Sequence, residues 1–207
     1  RVSRTAEAAA ALRANHHLNA NNPVFSDPYA FEMTNARWKF LLKNDLFRKT
    51  LNSNLLNQTF GKLTGQVVGR SRYTEDLLLH AIEKNHIQQY VLVGAGLDSF
   101  ILRLAEKFPN LKIFEVDHPD TQKTKIHKLK KLGTIPNNVE FVSIDFEKEK
   151  LSDALLRSQY HATEKAFFSW LGTTHYLTPE TTLGTLQNIA SIAASGSELV
   201  MDYSLDY

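Results

Sequence analysis

Residues 90–98 read Tyr90-Val91-Leu92-Val93-Gly94-Ala95-Gly96-Leu97-Asp98. The apolar run is typical of a buried strand, and the two glycines after it let the backbone pass close to a ligand where a Cβ would clash. A segment of helical spacing, Ser99 to Phe108, comes next. Strand, glycine turn and helix in this order predict the first crossover unit of a parallel sheet.

Four more apolar runs follow in the chain, and each is predicted to be a strand: Lys112 to Val116, Glu140 to Ile144, Ala166 to Trp170 and Glu198 to Met201. Segments of helical periodicity separate them: Asp120 to Leu132, Leu151 to Ser158 and Pro179 to Ala194. Alternating strands and helices predict an α/β fold, with a parallel sheet and helices on both faces.

The first third of the chain is helical in pattern. Helices are predicted over residues 5–20, from Asp27-Pro28 onward, over residues 36–68 and from Tyr73 to Lys84. We therefore predict a single domain, in which residues 1–85 form a helical N-terminal extension or cap and residues 86–207 form the core that contains the sheet.

The composition excludes several classes of function. Lys plus Arg number 24 and Asp plus Glu 22 among 207 residues, a net charge of +2 that is too small to recruit nucleic acid or an anionic membrane. Without Cys there is no disulfide framework and no thiolate zinc site, and His16-His17 lacks a third metal ligand. No apolar run reaches the ~18 to 20 residues of a membrane span. We expect a cytoplasmic protein without a metal site.

Carboxylates follow two of the predicted strands. Asp117 lies 21 residues after Gly96, close to the interval at which a carboxylate accepts hydrogen bonds from ribose hydroxyls. Asp145 ends the third strand beside Phe146, a pair suited to an adenine amine and to the face of the base. These residues predict a site for a nucleoside cofactor at the carboxyl ends of the strands.

Two nucleoside cofactors compete for such a site. A dinucleotide needs a third glycine where this chain has Ser99, and Asp98 would bring a negative charge to its pyrophosphate. The sequence therefore disfavours NAD. S-adenosyl-L-methionine contains ribose and adenine without phosphate, and its sulfonium cation tolerates nearby carboxylates.

Further motifs occur in a fixed order along nearly the whole chain: Ser3-Arg4-Thr5-Ala6, Ala11-Leu12-Arg13-Ala14, Asp27-Pro28-Tyr29-Ala30, Arg70-Ser71-Arg72-Tyr73, Phe114-Glu115-Val116-Asp117 with Lys125 beyond it, and Tyr176-Leu177. Together with residues 94–98 and 145–146, they resemble the leucine carboxyl methyltransferase family. The likeness is strongest to its bacterial branch of S-adenosyl-L-methionine-dependent methyltransferases.

The resemblance implies a Rossmann-like class I methyltransferase fold that binds S-adenosyl-L-methionine and releases S-adenosyl-L-homocysteine. Sheets of this kind continue beyond a fifth strand, so the C-terminal strands are expected to be missing. The resemblance also implies a role for each site residue. The methionine half of the cofactor faces Gly94, Ala95 and Gly96, its ribose is held by Asp117, and its adenine is held by Asp145 and Phe146. Its carboxylate pairs with Arg70 or with Arg72 and is also reached by Arg13.

The segment after the fourth strand departs from the family pattern. Leu171 stands where the family usually has an acidic residue, in Leu171-Gly172-Thr173-Thr174-His175-Tyr176-Leu177. His175 and Tyr176 are expected to line the methyl-transfer site, with His175 as the base if the acceptor is a hydroxyl; a carboxylate acceptor needs none.

We therefore expect an O-methyltransferase acting on a carboxylate or hydroxyl of a small molecule or a protein C-terminus. Two alternatives stay open: a methyltransferase-like binding module without catalysis, and a nicotinamide-dependent oxidoreductase. Titration with both kinds of cofactor separates these classes.

Overall fold

The computed structural model describes residues 3–53, 56–133, 135–174 and 177–203. Its strands are β1 (Gln89–Val93), β2 (Lys112–Asp117), β3 (Val139–Ser143), β4 (Ala166–Trp170) and β5 (Glu198–Met201). They form one sheet in the order β3-β2-β1-β4-β5, and every neighbouring pair is parallel. The predicted α/β fold is confirmed, and each predicted strand lies within two residues of its observed bounds.

Helices surround this sheet. They are α1 (Arg4–Asn19), α2 (Ala30–Met33), α3 (Ala36–Lys43), α4 (Asp45–Leu51), α5 (Lys62–Asn85), α6 (Phe100–Arg103), α7 (Pro119–Leu132), α8 (Leu151–Leu156) and α9 (Pro179–Ile192). A π-helical turn, Asn57–Gly61, precedes α5, and a 3-10 turn, Ala105–Lys107, follows α6. Among the described residues, no helix is both long and apolar enough to cross a bilayer.

Burial on both faces explains why the strands are nearly continuous apolar runs. β1 and β4, at the centre of the sheet, are buried along their whole length. On one face Tyr90 and Leu92 pack in a core with residues of α5, α6 and α7; on the other, Val91 and Val93 pack in a core with residues of α8 and α9. The alternation follows from the two-residue period of a strand.

Three helix predictions differ from the structure. The helix predicted over residues 36–68 is interrupted: Asn44 is extended between α3 and α4, and a π-helical turn precedes α5. The predicted break between residues 68 and 73 is wrong, because α5 runs uninterrupted for 24 residues from Lys62 to Asn85. The predicted helix Ser99 to Phe108 is shortened to α6 and the 3-10 turn. The backbone leaves the helical region at Leu104, with φ −132°, and the Ser99 hydroxyl accepts a hydrogen bond from Arg103 Nε instead of capping the helix.

The N-terminal helices pack together and against α5. Ala11 and Ala14 of α1 form a small core with Ala30 of α2 and Leu42 of α3. Ser3 is the N-cap of α1, and its side chain accepts a hydrogen bond from Ala6 N. Because α1 also contacts α5, it forms a wall beside the carboxyl end of β1.

Candidate functional site

A cavity of about 570 Å³ opens at the carboxyl ends of β1 and β4. The strand order reverses here, since β1 lies between β2 on one side and β4 on the other, and ligands of open parallel sheets bind at such a point. Side chains of α1 and α5 form its outer wall. The inner wall is formed by residues 93–98 after β1 and residues 169–173 at the end of β4.

Gly94 and Gly96 keep the loop after β1 flat against this cavity. Both adopt positive φ, +72° and +53°, which L side chains rarely tolerate. A Cβ on Gly94 would lie 3.0 Å from Thr173 Cγ2, and one on Gly96 would lie 3.2 Å from Ala6 Cβ. The amides of Gly94 and Ala95 donate to Val116 O at 2.9 and 3.0 Å, which fixes the loop to β2.

Asp117 is the last residue of β2, and it lines the cavity. One carboxylate oxygen accepts from Gly96 N, and the other accepts from His118 N at 2.6 Å. Burial raises the pKa of Asp117 above its ordinary value, while these two amide hydrogen bonds act in the opposite direction. Each oxygen keeps a further lone pair for a ligand.

Asp98, whose charge disfavours a pyrophosphate, also lines the cavity. Its Oδ1 accepts from Phe100 N at 2.7 Å, at the first residue of α6. The amide that would otherwise face an anion is thus satisfied by the protein's own carboxylate. Ser99 is fully buried beside it, which leaves no glycine-lined approach for a pyrophosphate.

The predicted adenine-binding pair is divided by the structure. Phe146 lines the cavity and is 39% exposed. Asp145 is not among the described lining residues: its carboxylate accepts from Lys148 Nζ at 2.9 Å and from Glu147 N at 3.1 Å. Lys148 foremost, and that amide next, lower the pKa of Asp145.

The two candidate arginines of α5 point in different directions. Arg70 lines the cavity, and its Nη1 donates to Asp202 Oδ2 at 2.6 Å. Arg72 is exposed, pairs with Asp76 at 2.7 Å and is not among the described residues that line the cavity. Residues two apart on a helix are turned by roughly 200° from each other, so only one of them faces the site.

Arg13 of α1 also lines the cavity and is nearly fully buried. Its Nε donates to Asp27 Oδ2 at 2.9 Å, and its Nη2 donates to Leu97 O at 2.7 Å. Although burial raises the pKa of Asp27, Arg13 and the neighbouring Ser99 and Arg103 lower it more. Arg13 therefore ties α1 to the loop after β1.

The deeper part of the cavity is neutral. Tyr90 Oη and Ser169 Oγ lie 3.0 Å apart, both buried, and Leu171 lines the wall nearby in the sequence. Burial, and after it the charge of Asp98, raises the pKa of Tyr90 well above its ordinary value, so the phenol keeps its proton. Thr173 Oγ1 is buried without a hydrogen-bond partner among the described residues. The predicted pair His175 and Tyr176 lies outside the described residues.

Four residues in or beside the cavity are not predicted as site residues by the sequence: Tyr90, Ser169, Thr173 and Asp202. Asp202 carried a signal, because it directly follows β5 as Asp145 follows a predicted strand. Tyr90 and Ser169 gave none, because each lies inside an apolar run, where polar groups are normally structural.

A buried ion pair lies on β2, two residues before Asp117. Lys125 Nζ of α7 donates to Glu115 Oε1 at 2.7 Å, and each side chain is 1% exposed. Burial raises the pKa of Glu115 to about 7, although Lys125 acts to lower it. Glu115 Oε2 has no hydrogen-bond partner in the part of the chain that the structure describes.

Comparison with known proteins gives three matches of note. The profile of the family described as leucine carboxyl methyltransferase matches residues 6–190. A Bacillus subtilis protein with the provisional name S-adenosyl-L-methionine-dependent methyltransferase YktD is 40% identical over 144 residues, 69% of this chain and 47% of that protein. A Mycolicibacterium smegmatis protein with a similar provisional name is 27% identical over 210 residues, 97% of this chain and 66% of that protein.

Among solved structures, the crystal structure of a Thermobifida fusca protein, provisionally described as a methyltransferase, superposes with a TM-score of 0.63. The two chains are 15% identical, and the match covers 95% of this chain and 64% of that one. At this identity the likeness concerns the fold alone. The chain thus spans about half to two thirds of the length of the proteins it matches.

Proposed function

Because the chain belongs to the leucine carboxyl methyltransferase family, we propose that it binds S-adenosyl-L-methionine and transfers the methyl group to an oxygen of an acceptor. The product of the cofactor is then S-adenosyl-L-homocysteine. The provisional names of the B. subtilis and M. smegmatis relatives support this cofactor. The observation that carries the proposal is that Gly94, Gly96 and Asp117 share one cavity at the sheet's reversal point.

The residues around the cavity fit such a cofactor. The bare backbone of Gly94 and Gly96 at the cavity wall suits the methionine half, and Asp117 suits the ribose hydroxyls. Phe146 offers a ring to the base, and Arg70 offers a guanidinium to the carboxylate. Ala95, between the two glycines, lines the same cavity. Contacts of Asp145 with adenine, and of Arg13 or Arg72 with the carboxylate, stay predictions.

When bound, the cofactor supplies an electrophilic methyl group on a sulfonium. The protein's part is to align that methyl group with the acceptor oxygen and to exclude water. Aliphatic side chains of the cavity serve the second purpose: Ala8, Ala9, Leu12, Val67, Leu92 and Leu171. Tyr90 stays protonated, so it is suited to donate a hydrogen bond and not to act as a base.

The acceptor decides whether a base is needed. A carboxylate is already ionised and attacks directly, whereas a hydroxyl must lose its proton, for which we propose His175, with Tyr176 beside it. His175→Ala should lower turnover about 10²-fold or more on a hydroxyl acceptor and leave a carboxylate acceptor nearly unaffected. Initial rates with radiolabelled cofactor measure this. Unchanged turnover on a confirmed hydroxyl acceptor would exclude the base role.

Calorimetric titration tests the cofactor. S-adenosyl-L-methionine and S-adenosyl-L-homocysteine should both bind, and NAD should not, because Asp98 occupies the start of α6 where a pyrophosphate would need a free amide. Binding of NAD alone would favour the oxidoreductase, and binding of no adenosyl ligand would refute the proposal. Binding without methyl transfer to any acceptor would favour the non-catalytic module.

The chemistry of the product separates the two acceptor classes. A methyl ester, formed from a carboxylate of a small molecule or of a protein C-terminus, releases methanol in alkali. A methyl ether, formed from a hydroxyl, does not. Volatile radioactivity after alkaline treatment of the labelled product therefore identifies the oxygen that was methylated.

A cytoplasmic location and the absence of nucleic-acid partners stay predictions from the small net charge and the lack of Cys.

A further inference from the structure

Asp202, which directly follows β5, joins three segments around the candidate site. Its Oδ2 accepts from Arg70 Nη1 at 2.6 Å, and its Oδ1 accepts from Gly172 N at 2.7 Å. Its backbone oxygen accepts from Thr174 Oγ1 at 2.5 Å. One residue thus connects α5, the loop after β4 and the end of β5.

The guanidinium of Arg70 is held on a second side by Gly172. Gly172 has φ +72°, and a Cβ there would lie 2.7 Å from Arg70 Nη2. The arginine therefore lies against bare backbone, with Nη1 on Asp202 and its remaining N–H groups not committed to Asp202. A guanidinium has five donors, so one that is fixed through Nη1 can still offer two parallel N–H groups to a carboxylate.

We propose that Asp202 is a positioning residue, which fixes the Arg70 guanidinium and the Gly172 turn so that Arg70 can receive the carboxylate of the cofactor's methionine half. This inference rests on the proposed function. Asp202 is not among the described residues that line the cavity, whereas Arg70 and Gly172 are, so it acts through them. The Asp202 carboxylate lies just after β5, and the residue just after β4, Leu171, is aliphatic.

The ion pair between Arg70 and Asp202 is suited to orienting the Arg70 guanidinium more than to stabilising the fold. The side chains of Arg70 and Asp202 are 21% and 23% exposed, so solvent still reaches the ion pair and screens it, and its contribution to folding is modest. A change at Asp202 should therefore alter ligand affinity while the melting temperature stays close to that of the wild type. If Asp202 had a purely structural role, its substitution would lower the melting temperature and leave the affinity of the folded protein for the ligand unchanged.

Asp202→Asn is the sharpest test. The amide oxygen can still accept from Gly172 N, but the ion pair with Arg70 is lost. Affinity for S-adenosyl-L-homocysteine should fall about tenfold, the scale of one charge-assisted hydrogen bond. Affinity for 5′-methylthioadenosine, which has the adenosine half but no amino acid carboxylate, should stay within about twofold. Calorimetry on both ligands, with thermal unfolding of each chain, gives the comparison.

Two further variants make the result specific. Asp76→Asn breaks the Arg72–Asp76 pair on the same helix outside the cavity, and it should change neither affinity. In an Arg70→Ala background, Asp202→Asn should cause no additional loss, because the residue that it positions is gone. Equal weakening of both ligands by Asp202→Asn, or a full further loss in the Arg70→Ala background, would overturn the inference. If the wild type binds neither ligand, the proposed function itself fails.

Discussion

Replacing Lys125 with methionine should lower the free energy of unfolding by about 3–5 kcal/mol at pH 8, because it leaves Glu115 buried without its cationic partner and forces the carboxyl group to take up a proton. Both side chains are 1% exposed, and the second carboxylate oxygen already lacks a hydrogen bond among the described residues. Urea unfolding followed by circular dichroism at pH 8 measures the difference.

The loss should also depend on pH. With Lys125 present, burial raises the pKa of Glu115 from 4.5 to about 7, and without Lys125 the pKa rises further. The folded variant then holds a proton that the unfolded chain releases, so its stability falls as pH rises. The gap between wild type and variant is therefore expected to be wider at pH 8 than at pH 6.

The paired substitution Glu115→Leu with Lys125→Met serves as the control. Removing both charges restores an apolar interior, so most of the lost stability should return, and the double variant should not share the fall in stability with rising pH that a buried Glu115 causes. A single variant as stable as the wild type at pH 8 would contradict this account. So would a double variant that is no more stable than the single one.

Asp117→Ala should weaken binding of S-adenosyl-L-homocysteine about a hundredfold, since a carboxylate that accepts from two ribose hydroxyls contributes two charge-assisted hydrogen bonds. The substitution also removes the acceptor of Gly96 N, which fixes the turn facing the ligand. Calorimetry measures the affinity, and circular dichroism establishes that the variant is folded.

The ribose contact can be separated from the effect on the turn. The wild type should prefer 5′-methylthioadenosine to its 2′-deoxy derivative, and Asp117→Ala should lose that preference. Asp153→Ala, which removes an exposed carboxylate in the first turn of α8, should leave both affinities unchanged. If Asp117→Ala weakens both ligands but keeps the preference, Asp117 only shapes the loop and does not bind ribose.

The strands of the sheet were predictable because each one leaves its own signal in a short stretch of sequence. Strands of a parallel sheet are covered on both faces, so they appear in the sequence as short apolar runs, and the strand-end rule then brings Asp117 to the cavity. The same rule applied to β5 would have identified Asp202. Asp145 shows its limit: the carboxylate follows β3 closely, yet its partners are Lys148 and Glu147.

What depends on distant contacts was not predictable. The sequence could not choose between Arg70 and Arg72, because the choice depends on how α5 is rotated against the sheet. Nor could it reveal that Arg13 is buried, since its carboxylate partner Asp27 is brought back by the turn between α1 and α2. The shortening of α6 depends similarly on Arg103, which binds Ser99 and Glu75.

The hydrogen bonds that hold the cavity wall connect residues far apart in the chain. Arg13 and Leu97 are 84 positions apart, and Arg70 and Asp202 are 132 positions apart. During synthesis the ribosome must therefore release the chain beyond Asp202 before the bond between Arg70 and Asp202 can form, and a shorter nascent chain lacks it. An adenosyl ligand would then stabilise only chains in which these distant contacts have formed, and not earlier folding intermediates.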